Sequence, residues 1–442
     1  MAGLVGSTGE VAAGFEPVRE AFEAQLAATP GHSAQLCVYR RGQPVVDLAG
    51  GPAIGADSIT SVFSVTKGVA AIALGILVRA GSLGLDERVE RYWPEFAACE
   101  KCQISVRQLL SHQAGLVSVD GGLTVAEVLD SRRGAARLAA QRPAWRPGAM
   151  FGYHGVTIGI FIEELVRRVG GVSLQELYET EVRAPRGIDF YVGLPESEER
   201  RYVALRDPPA VAAAAVAPGA VAPAAVAPGA AAAAAVAPAA APAAVAPAAV
   251  APTVPVAQAV PVAPAVPVAP AGPVPEGGAA VEDGLESLFY RVPTRPDGTA
   301  GPDPADRDVR AAGPAAVGGV GSARGLARLY NAALGFVEPP LLDPRTLGEM
   351  SQTQVFGRDR ILGDEMSFGI VFQTPHPRVP FASHRAFGHD GAGGALAFAD
   401  PLYEMSFGYI PNPMVAPGGA DPRAVELSAL ARRAARDLTS TG

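Results

Sequence analysis

Lysine is nearly missing from this chain. Of 36 lysine-plus-arginine side chains in 442 residues, only Lys67 and Lys101 are lysine. Cysteine is scarce too. Cys37, Cys99 and Cys102 are too few for a disulfide framework. Cys99-Glu100-Lys101-Cys102 has C-x-x-C spacing, but no second pair or adjacent histidine completes a metal site, so it reads as a reduced surface loop. The net charge is −8 and there is no basic run, which argues against a nucleic-acid partner. Met1-Ala2-Gly3 is not followed by a basic and then an apolar segment, so a cytoplasmic protein is expected.

Charge itself is absent from Pro208 to Pro275, 68 residues built almost wholly of Ala, Val, Pro and Gly. The widest interval between its prolines runs from Pro228 to Pro238, so no unbroken apolar helix could cross a membrane there. This stretch reads as an extended, polyproline-like insert without a fixed fold. It is either a repeat-expanded loop without a role or an arm that docks a partner. Setting those 68 residues aside leaves 374 of the 442 for folding, with residues 1–207 and 276–442 read as one domain.

Apolar periodicity predicts an amphipathic helix over Phe15–Ala28, with Phe15, Val18, Phe22 and Leu26 on one side. Gln35–Tyr39 and Pro44–Leu48 flank a turn at Arg40–Gln43 and read as a β-hairpin. Further strands are expected at Ser367–Phe372, Gly394–Ala399 and Met405–Ile410, and a closing helix from Pro422 to about Leu438. The middle is mainly helical, including Ser105–Ser111, Thr124–Leu138 and Thr157–Val169. The expected fold is α+β: an antiparallel sheet made from both ends of the chain, flanked by helices, with a helical second lobe and a pocket between.

Against this background Lys67 stands out, because it lies three residues after a serine in Ser64-Val65-Thr66-Lys67. Arginine stays protonated at ordinary pH, whereas a buried lysine can lose its proton and act as a base. Ser-x-x-Lys puts an amine one helical turn from a hydroxyl it can activate. With 20 serines in the chain the spacing alone is weak, and Ser64 could simply cap a helix. However, Gly68–Val78 is apolar on every face, and a lysine at the head of a buried helix is costly unless paired or neutral.

Five segments then resemble the serine β-lactamase-like superfamily, in the branch of class C β-lactamases, DD-peptidases and family VIII carboxylesterases. They are Ser61–Gly68, Tyr92–Phe96, Val106–Leu116, Tyr153-His154-Gly155 and Gly388–Gly394, in the family's order. The resemblance covers Phe15 to about Val192 and Ala311 to about Leu438. It implies Ser64 as nucleophile, Lys67 as the amine that takes or shuttles its proton, and Tyr153 as a phenol whose pKa that amine lowers, acting as base toward Ser64 and acid toward the leaving group. It implies an oxyanion hole from the backbone N–H groups of Ser64 and Ala392. His389, Gly391 and His154 are expected to line the substrate site, and Gly391, Gly393 and Gly394 to let substrate approach closely. His112 is expected to anchor a turn. No metal or cofactor is expected, and the partner is a small ester or amide.

Two departures bear on the substrate. Where the family's β-lactamases have a lysine that holds the ring carboxylate, this chain has His389, mostly neutral at pH 7 unless its pKa is raised. Where they have an asparagine for the substrate amide, it has Gly155. Both favour uncharged esters. Other readings are a β-lactamase, a D-amino-acid peptidase or an acyltransferase on the same machinery, and a non-catalytic scaffold that binds a partner through the insert.

Overall fold

The computed structural model describes residues 6–208, 301–415 and 418–440. Apart from Pro208, the uncharged insert lies outside the described residues, as does the separate unit at 217–278.

The main sheet has six antiparallel strands in the order β1-β3-β2-β11-β10-β9. Strands β1 (Thr8–Val11), β2 (Ser33–Arg40) and β3 (Gln43–Gly50) come from the start of the chain. Strands β9 (Phe387–Asp390), β10 (Leu396–Asp400) and β11 (Met405–Asn412) come from its end. The two sets join where β2 pairs with β11, with Leu36 opposite Tyr409 and Val38 opposite Phe407. The β2–β3 turn has Arg41 and Gly42 both at positive φ, the two-residue geometry that matches strand twist.

One sheet face is covered by α1 (Glu16–Ala28) and the terminal helix Pro422–Ser440. Val18, Phe22 and Leu26 pack there with Leu36, Val38, Phe398, Phe407, Leu427 and Ala431. A second core lies beyond the other face, around α2 (Val65–Arg79). Every residue of α2 from Val65 to Gly75 is buried, as its all-round apolar sequence requires. The helical lobe against it includes α3 (Val106–Leu110), α4 (Val125–Leu129), α5 (Ser131–Ala140) and α6 (Thr157–Gly170). Among the described residues no helix is long and apolar enough to cross a membrane.

Two expected elements differ. Thr124–Leu138 is two helices, because Asp130 leaves helical geometry after a short capped turn in which Thr124 and Glu127 bond reciprocally. The strand expected over Ser367–Phe372 stops early: β8 is Glu365–Phe368, paired with β7 (Val355–Arg358). The chain then turns through Val371 at φ 66°, which lets Gln373 bridge to Gly388. A small sheet of β4 (Thr60–Ser61), β5 (Phe190–Val192) and β6 (Gly319–Gly321) was too short to be read from alternation.

Candidate active site

Ser64 stands at the junction of β4 and α2. Phe63, just before it, has φ 49°, a left-handed backbone uncommon for a bulky residue and often found at functional sites. That sharp turn leaves Ser64 as the N-cap of α2, half-exposed at the end of an otherwise buried helix. Its side chain caps nothing. One turn on, buried Lys67 donates from Nζ to Ser64 Oγ at 2.9 Å and to the Ala316 carbonyl at 2.9 Å. Burial pulls the amine down to about 7, with Asp390 opposing.

Tyr153 reaches Ser64 Oγ from the other side, with Oη at 3.0 Å. Lys67 Nζ lies 5.0 Å from the centroid of its ring. The expected lowering of this phenol is overturned, since burial raises it well above the usual tyrosine value, with Asp390 and Asp359 adding to the rise. The physical reason is that an amine drawn down to about 7 supplies little positive charge, while the ring is enclosed against Phe368, stacked at 5.9 Å.

The segment that carries Tyr153 is held residue by residue. Phe151 O accepts from Arg360 N, Gly152 N donates to His112 O, Tyr153 N donates to Asp359 Oδ1, and His154 N donates to His112 Nδ1. His112, at φ 64°, anchors this turn as expected. His154 is a correction. It is fully buried, its Nδ1 is bonded to Gly152 O, and its Nε2 accepts from Leu116 N. No ring nitrogen remains to meet a substrate.

His389 is buried beside Tyr153, ring centroids 6.0 Å apart. Its Nδ1 bonds the Asp390 carbonyl at 2.7 Å, while Nε2 has no partner among the described residues. Burial and Lys67 push this imidazole down to about 4, so it is neutral at pH 7. Gly391 packs against the Ser64 turn: a Cβ there would sit 2.2 Å from the Val62 carbonyl, so that backbone by itself requires the glycine. Ala392, the next residue, is exposed. Among the described residues neither its N–H nor that of Ser64 donates to another group. A cleft of about 930 Å³ walled by Leu334, Phe336, Leu342 and Leu347 includes none of Ser64, Lys67 or Tyr153.

Sequence reasoning missed the Ala316 carbonyl, Asp359 and Glu163. A backbone carbonyl leaves no mark in the sequence. Glu163 could have been noticed as an acid within the apolar run Thr157–Val169.

A strand-turn-helix serine flanked by an amine and a phenol, on a sheet built from both chain ends, defines a serine-centred α+β enzyme-like fold. The chain belongs to the beta-lactamase family, whose model matches residues 18–430. It is similar to the structure of EstA from Arthrobacter nitroguajacolicus Rue61a, with 40% identity, 97% of this chain and 98% of that one covered, and a TM-score of 0.76. A family VIII carboxylesterase structure follows at 28% identity, 97% and 100% coverage, and a TM-score of 0.74. Among curated relatives, the esterase/beta-lactamase LipL of Mycobacterium tuberculosis is 34% identical over 214 residues, 46% of this chain and 49% of LipL. Esterase EstB of Burkholderia gladioli is 29% identical over 168 residues, 34% of this chain and 42% of EstB. The matched region thus spans about half the length of these curated relatives.

Proposed function

We propose that the protein is a serine hydrolase of the carboxylesterase type that cleaves small uncharged esters through an acyl-enzyme on Ser64. One observation carries the reading: Lys67 Nζ and Tyr153 Oη both lie within 3.0 Å of Ser64 Oγ. In this mechanism neutral Lys67 takes the Ser64 proton as Oγ attacks the ester carbonyl. The backbone N–H groups of Ser64 and Ala392 hold the oxyanion. Tyr153, kept protonated by its raised pKa, gives its proton to the departing alkoxide and is reprotonated from the Lys67 ammonium. Water then attacks the acyl carbonyl by the reverse proton path, releasing the acid and restoring Ser64.

The choice of uncharged esters is supported by neutral His389 and by the carboxylate of Asp390 beside it, which together offer nothing to pair with an anionic substrate. Similarity to the esterase/beta-lactamase LipL, esterase EstB and a family VIII carboxylesterase supports ester chemistry. We also read residues 1–207 and 276–442 as one hydrolase domain. Three unbridged cysteines agree with a cytoplasmic location.

The test is a burst of chromophore from p-nitrophenyl butyrate, loss of turnover in Ser64→Ala, and a covalent Ser64 adduct by mass spectrometry. Turnover that survives Ser64→Ala refutes the mechanism. Rapid nitrocefin hydrolysis without ester turnover would replace the esterase reading with a β-lactamase.

A further inference from the structure

Lys67 has two partners, and one of them is held from outside the machinery described above. The Ala316 carbonyl belongs to the turn Pro314–Gly318, closed by bonds from Val317 N and Gly318 N to Pro314 O. The turn rests on α6. Glu163 Oε1 accepts the N–H of Ala315 at 2.8 Å. Four residues earlier on the same helix face, a Cβ at Gly159 would lie 2.7 Å from Ala316 N, so the turn sits directly on bare backbone. Beyond the turn, Gly319 N donates to Thr66 Oγ1 at 2.9 Å, which ties its exit to the residue before Lys67.

We propose that Glu163, with Gly159, seats the Pro314–Gly318 turn and is a positioning residue for Lys67, fixing the Ala316 carbonyl so that the amine is aimed at Ser64. This rests on the reading of Lys67 as the base toward Ser64. Glu163 is an expensive way to hold a loop. It is a buried carboxyl accepting from one backbone N–H and the Ser131 hydroxyl, and burial pushes it up to about 7. A fold that needed only packing here would be served by an apolar side chain, which could not hold the N–H of Ala315. The geometry forms an unbroken chain from Glu163 to Ala315, from Ala316 to Nζ at 2.9 Å, and from Nζ to Oγ at 2.9 Å.

The experiment compares full-length Glu163→Gln, Glu163→Leu and Gly159→Ala on p-nitrophenyl butyrate. Glutamine keeps an oxygen for Ala315 N–H, leucine removes it at similar size, and alanine at 159 pushes the turn away from α6. Glu163→Leu and Gly159→Ala are expected to lose about tenfold or more in kcat with KM little changed, as a displaced catalytic group does. Their acid limb of activity should also move to lower pH, because the lost carbonyl contact favoured the charged amine. Glu163→Gln should stay within about threefold of wild type, since its oxygen can accept the same bond. Wild-type kcat and pH midpoint in Gly159→Ala, or in a folded Glu163→Leu, would overturn the proposal. Equal losses in Gln and Leu that follow melting temperature would do the same. Fluorophosphonate labelling separates the two layers. No labelling of wild-type Ser64 defeats the underlying mechanism, whereas labelling at an unchanged rate in Glu163→Leu defeats only the positioning role.

Discussion

Replacing Lys67 by arginine keeps the positive charge and removes the dissociable proton. In the folded protein the Lys67 amine titrates at about 7 because it is buried. The neutral, proton-accepting form therefore predominates above about pH 7 and is lost as pH falls. Below that point its fraction drops roughly tenfold per unit, leaving about 1% at pH 5. Wild-type kcat/KM on p-nitrophenyl butyrate should rise along this limb and level off near pH 8. A general base contributes about 10²–10⁴ in rate, or roughly 3–5 kcal/mol of barrier. Lys67→Arg should lose that factor and the limb together. Lys67→Met, neutral and of similar length, is the control for the strain of a buried guanidinium, and melting curves establish that both variants fold. Glu163 also titrates near 7, so the profile is repeated in Glu163→Gln, where the limb should persist. His389, at about 4, falls well below the window. A flat wild-type profile between pH 5.5 and 8.5, or Lys67→Arg retaining more than about a third of wild-type kcat, would refute the assignment of Lys67 as base.

Three further outcomes are expected. Tyr153→Phe removes the Oη that lies 3.0 Å from Ser64 Oγ and should cost about 10²–10⁴ in kcat, read in steady state, with stability changed by only about 1 kcal/mol. Gly391→Ala places a methyl 2.2 Å from Val62 O, and the forced shift should cost about 1–3 kcal/mol of stability, visible in chemical denaturation. It should also lower kcat, because Val62 and Gly391 lead into Ser64 and Ala392; unchanged kcat would separate this contact from the oxyanion site. Deleting Pro208–Pro275 should leave melting temperature and ester turnover close to wild type, and a large fall in melting temperature would mean that the segment packs on the core.

The elements with long regular patterns were legible. α1, α6 and the terminal helix have enough residues for their period to show, α2 shows as an unbroken apolar run, and the hairpin at Ser33–Gly50 with strands at the other end of the chain points to the sheet's origin. Strands of two to four residues, such as β4, β6 and β7, are too short for alternation to register. Ser64, Lys67 and Tyr153 were found from spacing and resemblance, and they meet at one oxygen. What failed was electrostatic and steric detail. His154 sits in a motif position, yet its ring nitrogens are taken up by Gly152 and Leu116, and Gly391 is already required by the close approach of the Val62 carbonyl. Only three-dimensional packing reveals that, and the same holds for a phenol whose pKa depends on enclosure.

The two lysines also show what rarity can and cannot imply. Both are fully buried, and burial lowers both. Lys101 donates to three backbone carbonyls, Ala98 at 2.6 Å, Ala139 at 2.9 Å and Gln141 at 2.7 Å. Three acceptors match the three protons of an ammonium, and two of them close the C-terminal end of α5, where positive charge is favoured. That lysine is a structural cation, and a planar arginine fork would not fit three converging carbonyls. Among the described residues Lys67 has one carbonyl and one hydroxyl, so an ammonium there would hold a third proton without an acceptor. Shedding that proton relieves the mismatch, and rotation of the neutral amine about its Cε–Nζ bond then turns the lone pair toward Ser64 Oγ. The number of fixed acceptors around Nζ, rather than the scarcity of lysine, is what separates a candidate base from a brace.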